Sequence, residues 1–88
     1  MAIGSGDWVI VRKGKPVVRK PSLEHAKSFF DMLRFGRGGT DADCTIFGPG
    51  HIEWRCGRTR DSAWYEVTGD RRSLAKDRDD AIGEPVDG

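Results

Sequence analysis

Three features of the 88-residue sequence predict an α+β fold. Short runs rich in β-branched and aromatic residues lie at 8–12, 17–19, 44–47, 51–56 and 63–68. One apolar stripe at helical period covers 23–35, and Gly- or Pro-bearing turns separate the elements. The order β-β-α-β-β-β, with hairpin-length connections, predicts a two-layer domain. A mainly antiparallel sheet packs on one amphipathic helix, with room for a short C-terminal helix.

The first hairpin is Trp8-Val9-Ile10-Val11-Arg12, a turn at Lys13-Gly14-Lys15, and Pro16-Val17-Val18-Arg19. Gly14 supplies the positive φ of the turn. Pro16 has no N–H for a ladder, so the second arm is short or at a sheet edge. Ser22 is a helix N-cap. Leu23, Ala26, Phe30 and Leu33 then repeat at helical spacing, Phe29 and Met32 widen the stripe, and Gly36 stops the helix. After the Gly- and Asp-rich loop 36–43, the strands Cys44–Phe47 and His51–Cys56 flank Gly48-Pro49-Gly50. The strand Ala63–Thr68 follows a loop at 57–62. Leu74, Ala75, Ala81 and Ile82 share a loose face within 71–82. The boundaries expected are one domain over 1–70 and a charged segment over 71–88, a short helix followed by a solvated acidic tail.

Side-chain alternation then sets an expected register. Pairing Phe47 with His51 places Ile46 opposite Ile52 and Cys44 opposite Trp54. Pairing Cys56 with Ala63 places Trp54 opposite Tyr65 and Ile52 opposite Val67, so that every apolar pair shares the helix-covered face. Val9, Val11 and Val18 join them. The other face is expected to carry Trp8, Ile10, Arg12, Lys15, Val17 and Arg19. It also takes Thr45, Phe47, His51, Glu53, Arg55, Trp64, Glu66 and Thr68, with Arg55 opposite Trp64 in a cation–π contact. Tryptophans among arginines and lysines make that face a candidate binding surface. A fold-back of 71–82 or a homodimer could equally cover it.

Composition narrows the function classes. Fifteen Lys/Arg against fourteen Asp/Glu leave a net charge of +1, so the whole chain does not seek polyanions. The halves differ: residues 1–38 hold eight basic against three acidic residues, and 39–88 hold seven against eleven. Two cysteines are too few for a disulfide scaffold. The start MAIGSGDW lacks a signal-peptide pattern and no apolar run approaches a membrane span. The expectation is a soluble chain in a reducing cytoplasm, that of the host if the gene belongs to a phage.

Catalytic motifs are sparse. Cys44, His51, Cys56 and His25 lack the short Cys-x₂₋₄-Cys spacing of a zinc site. The expected register makes Cys44 and Cys56 diagonal neighbours, marginal for a disulfide, so two buried free thiols are expected. A Cys–His nucleophile pair finds no orienting third group. Glu53 and Glu66 sit near one another, but beside Arg55 on an open sheet. Arg37-Gly38-Gly39 is one Arg-Gly-Gly triplet at a helix end, and Gly57-Arg58-Thr59-Arg60 is no phosphate loop. No cofactor, metal or enzymatic activity is expected.

Residues 8–55 resemble a family of small uncharacterised bacterial and phage domains of ββαββ order. The resemblance is carried by Trp8-Val9-Ile10-Val11-Arg12, Gly14, Ala26, and Ile46-Phe47-Gly48-x-Gly50-His51-Ile52. It implies the fold and no activity, and the chain departs from it after Cys56. In size and in lacking catalytic motifs the chain is also similar to small phage inhibitors of bacterial defence, anti-CRISPR proteins among them. That likeness implies an inhibitor of a protein or ribonucleoprotein. The expected function is a non-catalytic interaction module, with Trp8, Arg55 and Trp64 as anchors and Arg12, Lys15 and Arg19 steering an acidic partner. The alternative is nucleic-acid binding by the cluster Arg12, Lys13, Lys15, Arg19 and Lys20 interleaved with Trp8.

Overall fold

The computed structural model describes residues 7–82; residues 1–6 and 83–88 lie outside the described residues, and of the acidic stretch 77–88 expected as a solvated tail, residues 77–82 are helical instead. The elements are β1 (Trp8–Arg12), β2 (Val18–Lys20), α1 (Leu23–Phe35), β3 (Cys44–Gly48), β4 (Ile52–Cys56), β5 (Tyr65–Val67) and α2 (Arg71–Ile82). They build a five-stranded antiparallel sheet of order β2-β1-β3-β4-β5. The α+β class, the strand count, the helix at 23–35 and the edge position of the Pro16 arm are as the sequence predicts.

Helix α1 starts where its cap chemistry dictates. The Ser22 hydroxyl accepts the His25 N–H at 3.2 Å, and the Ser22 carbonyl accepts the Ala26 N–H at 3.0 Å. Its buried side presents Ala26, Phe30 and Arg34 to the sheet. Ile10, Cys44, Ile46 and Cys56 from the strands complete the core, and Trp8, Val18, Leu23, Phe29, Leu33, Trp54 and Trp64 pack around it. Each fully buried Ile or Phe contributes about 1.5–3 kcal/mol by leaving water.

The register differs from expectation in three places. Strand β1 presents the opposite set of side chains. Ile10 pairs with Ile46 and faces α1 with Trp8 and Arg12, whereas Val9 and Val11 lie on the far face beside Phe47 and Thr45. The run Trp-Val-Ile-Val has no alternation to choose a face, and β1 is a central strand whose Val9 and Ile10 are both fully buried. Gly48 helps decide the matter: it leaves the space that the Trp8 ring fills, where any Cβ would collide with the indole.

The β3–β4 turn takes three residues, Pro49, Gly50 and His51. Gly50 (φ 73°) and His51 (φ 64°) are both left-handed. Gly48 therefore pairs with Ile52, Ile46 with Trp54, and Cys44 with Cys56. The faces of these two strands stay as expected, but the partners move by two residues.

Strand β5 is slipped by one. Arg55 pairs with Tyr65, Trp54 with Glu66 and Glu53 with Val67, which puts Tyr65 and Val67 on the face away from α1. The expected Arg55–Trp64 contact does not form. Trp64 instead turns toward α1, where its ring meets Phe30 edge-on (5.7 Å, 77°) and its Nε1–H donates to Asp31 at 3.2 Å.

Candidate functional site

The antiparallel register brings three connections to one end of the molecule. Strand β1 ends at Arg12 opposite Cys44, the start of β3, and Cys44 is opposite Cys56, the end of β4. The β1–β2 turn, the α1–β3 loop and the β4–β5 loop therefore meet there. They carry Lys13, Lys15, Arg37, Arg58 and Arg60 against Asp41, Asp43 and Asp61. Lys15 forms one exposed pair with Asp41 at 3.9 Å, and the Arg58 N–H donates to Asp43 at 3.0 Å.

The sheet face away from α1 changes character along its length. The row Val9–Phe47–Glu53–Val67 is shielded from solvent at its first three positions. The next row toward the basic end, Val11–Thr45–Arg55–Tyr65, opens to water, with Tyr65 55% exposed. Two open depressions of about 830 and 500 Å³ flank this row and share Asp43 and Thr45. The larger holds Lys13, Lys15 and Arg58, the smaller Arg55 and Tyr65.

Glu53 and Arg55 connect the closed and open rows. The Glu53 side chain is 1% exposed and that of Arg55 45%. The Arg55 Nε–H donates to Glu53 Oε2 at 2.8 Å, and its terminal nitrogen stands at the same distance. This hydrogen bond, against a smaller opposing effect of burial, raises the guanidinium pKa above its ordinary value. A carboxylate fixed inside the protein thus aims a cation outward next to an exposed phenol. Glu53 Oε1 is buried and has no hydrogen-bond partner among the described residues.

A second network secures the β4–β5 loop. Arg34, 5% exposed, donates to the carbonyls of Thr59 at 3.0 Å and Ser62 at 2.6 Å, and its Nε–H donates to Asp31 at 3.0 Å. Asp31 also receives the Trp64 indole N–H. The loop bearing Arg58 and Arg60 is therefore clasped to α1 through one buried cation.

The structure separates the expected anchors. Arg19 and Arg55 lie on the face away from α1. Trp8, Arg12 and Trp64 lie on the α1 side, and Lys15 is in the turn. The tryptophans are half-buried because they wall the core, and Arg12 stacks on Phe29, its guanidinium carbon 5.2 Å from the ring centre. Lys20 lies 5.0 Å from the same ring, and Lys27 stands 4.0 Å from the Trp54 ring. The α1 side therefore holds cations on aromatics as a rim around the core rather than as an open basic face.

Sequence reasoning placed Thr45 and Glu53 on this face and Lys13 in the basic cluster, but missed Tyr65 and Arg58 as members of the surface and Arg34 and Asp31 as its supports. Arg34 follows Ala26 and Phe30 at helical spacing on the apolar stripe, and a charge in that position signals a buried hydrogen-bonded role. Tyr65 carried no such signal, because a one-residue slip decides its face.

The cysteines are free and buried, directly opposed across β3 and β4. Burial first, and then the neighbouring Cys56, push the Cys44 thiol up to about 12. Burial likewise raises Cys56. His51 lies in the β3–β4 turn at the opposite end of β4 from Cys56. Among the described residues no group of three His, Cys, Asp or Glu could hold a metal ion, and no helix is long and apolar enough to cross a membrane. Comparison with protein families, with curated proteins and with solved structures finds no match to this chain.

Proposed function

We propose that the chain is a non-catalytic interaction module. It docks an acidic surface of a protein or ribonucleoprotein on the open half of its sheet and the basic loops beside it. The observation that carries this reading is the row Val11–Thr45–Arg55–Tyr65, in which buried Glu53 holds Arg55 outward beside exposed Tyr65. Arg and Tyr are the residue types that dominate interface energetics, and a guanidinium already held in place loses less freedom on binding. Lys13, Lys15 and Arg58 at the rim favour encounter with an acidic partner. Trp8, Arg12 and Trp64 serve that surface from behind, as core walls. The Cys44 thiol, buried and held neutral at physiological pH, argues against a cysteine that turns over substrate rapidly, since the thiolate is the reactive form. Interference with a bacterial defence complex is the biological form of binding implied by the likeness to small phage inhibitors.

Affinity capture from nuclease-treated lysate tests the reading. The wild type is compared with a Tyr65→Ala/Lys13→Glu/Arg58→Glu variant, whose changed side chains are exposed. The expected result is a protein partner retained by the wild type and lost by the folded variant. A partner held equally by both contradicts the assignment. Arg55 is a poor first probe, because replacing it strands the Glu53 carboxylate in the interior.

Direct nucleic-acid binding is the second reading, favoured by one feature: an exposed aromatic next to an arginine on an open sheet is a base-stacking arrangement. A gel-shift titration across salt separates the two. Phosphate contacts give a steep fall in affinity with salt, and their absence leaves only the protein partner.

A further inference from the structure

The expectation of marginal, diagonal cysteines does not hold: Cys44 and Cys56 are a directly opposed cross-strand pair. Opposed residues in antiparallel strands have Cα atoms about 4.5–5.5 Å apart, inside the span a disulfide bridges. Both side chains point to the α1 face. Both also line the depression of about 500 Å³ beside Ser62, each only 1% exposed, so that the pair sits just beneath this opening. The Cys56 thiol points at the Ser62 carbonyl, 3.9 Å away, at the margin of this opening.

We propose that Cys44 and Cys56 are a dithiol site that closes to an intramolecular disulfide by exchange with a small dialkyl disulfide such as oxidised glutathione. The Cys56 thiolate attacks one sulfur of the reagent, breaking its S–S bond, forming a mixed disulfide and releasing one small thiol after protonation. The Cys44 thiolate then attacks the Cys56 sulfur, forming the protein S–S bond and releasing the second small thiol. The protein loses two protons and two electrons, and the reagent gains them. Burial keeps both cysteines in the thiol form, so the reaction is slow at neutral pH and accelerates in mild alkali. The new bond would join β3 to β4 directly behind Thr45 and Arg55, the residues adjacent to the cysteines in the two strands.

The test is incubation of the folded chain with millimolar oxidised glutathione, followed by denaturation, maleimide labelling and intact-mass measurement. The expected product has lost the mass of two hydrogens, takes no maleimide, and returns to the starting mass with a thiol reductant. Peptide mapping joins Cys44 to Cys56. The Cys44→Ser and Cys56→Ser variants, each folded by circular dichroism, do not lose that mass. Two free thiols after prolonged exposure, a stable glutathionyl adduct, a covalent dimer, or closure seen only in urea would each overturn the proposal.

Discussion

Arg34 shows how one residue couples the core to the candidate surface. Its guanidinium is buried, and it satisfies two loop carbonyls and the Asp31 carboxylate at once. Arg34→Ala removes all three bonds and leaves those acceptors to find water. It is expected to cost about 3–5 kcal/mol in urea denaturation. Arg34→Lys restores little of this, because an ammonium on a flexible stem cannot present a planar fork to three acceptors. Cys44 gives a second prediction, on pH. The unfolded thiol releases its proton near pH 9, while the folded one holds it until about pH 12. Stability from this group is therefore full below pH 9 and declines as pH rises toward 12, by about 4 kcal/mol across that window. The alkaline slope of thermal unfolding should flatten in Cys44→Ala relative to the wild type; parallel slopes would contradict the assignment. At this scale the sequence is informative about type and not about role. It shows that Arg34 lies on an apolar stripe, but the two carbonyls it binds are 25 and 28 residues away.

Elements were legible where local chemistry decides them. Ser22, the 3.6-residue stripe and Gly36 mark α1 without reference to the rest of the chain. Turns were less so, since Gly48-Pro49-Gly50 reads as a three-residue connection although the turn closes one residue later, on left-handed His51. His51→Gly should relieve that conformation and raise stability by about 1 kcal/mol in chemical denaturation. Helix α2 is held at its start by Asp70, whose carboxylate accepts the Ser73 N–H at 2.7 Å and whose carbonyl accepts the Leu74 N–H at 3.1 Å. These bonds to Ser73 lower the Asp70 pKa. The capping contribution is thus present above the ordinary carboxylate range and is lost as pH falls through the lowered value. Asp70→Asn should weaken the acid-dependent loss of helical circular dichroism, and Asp70→Ala should reduce amide protection in 71–82 at neutral pH. An unchanged acid transition in Asp70→Asn would remove Asp70 from this role.

For the whole molecule, the α+β class and its strand order along the chain were readable, while the assembled surface was not. Two one-residue choices, the facing of β1 and the register of β5, move Trp8 and Trp64 to the core side and bring Tyr65 beside Arg55. Neither choice is local. Gly48 makes room for the Trp8 ring, and Arg34 with Asp31 draws the β4–β5 loop and Trp64 onto α1. The charge asymmetry visible in the sequence is also rearranged by folding, since Arg58 from the acidic half joins Lys13 and Lys15 at one depression. In the proposed function this end of the sheet binds an acidic protein surface. Calorimetric titration of the captured partner with wild-type chain and with Tyr65→Ala/Lys13→Glu/Arg58→Glu tests it most directly. A loss of about tenfold or more in affinity at unchanged helical and strand content is expected. Affinity of the folded variant within about twofold of wild type would contradict it.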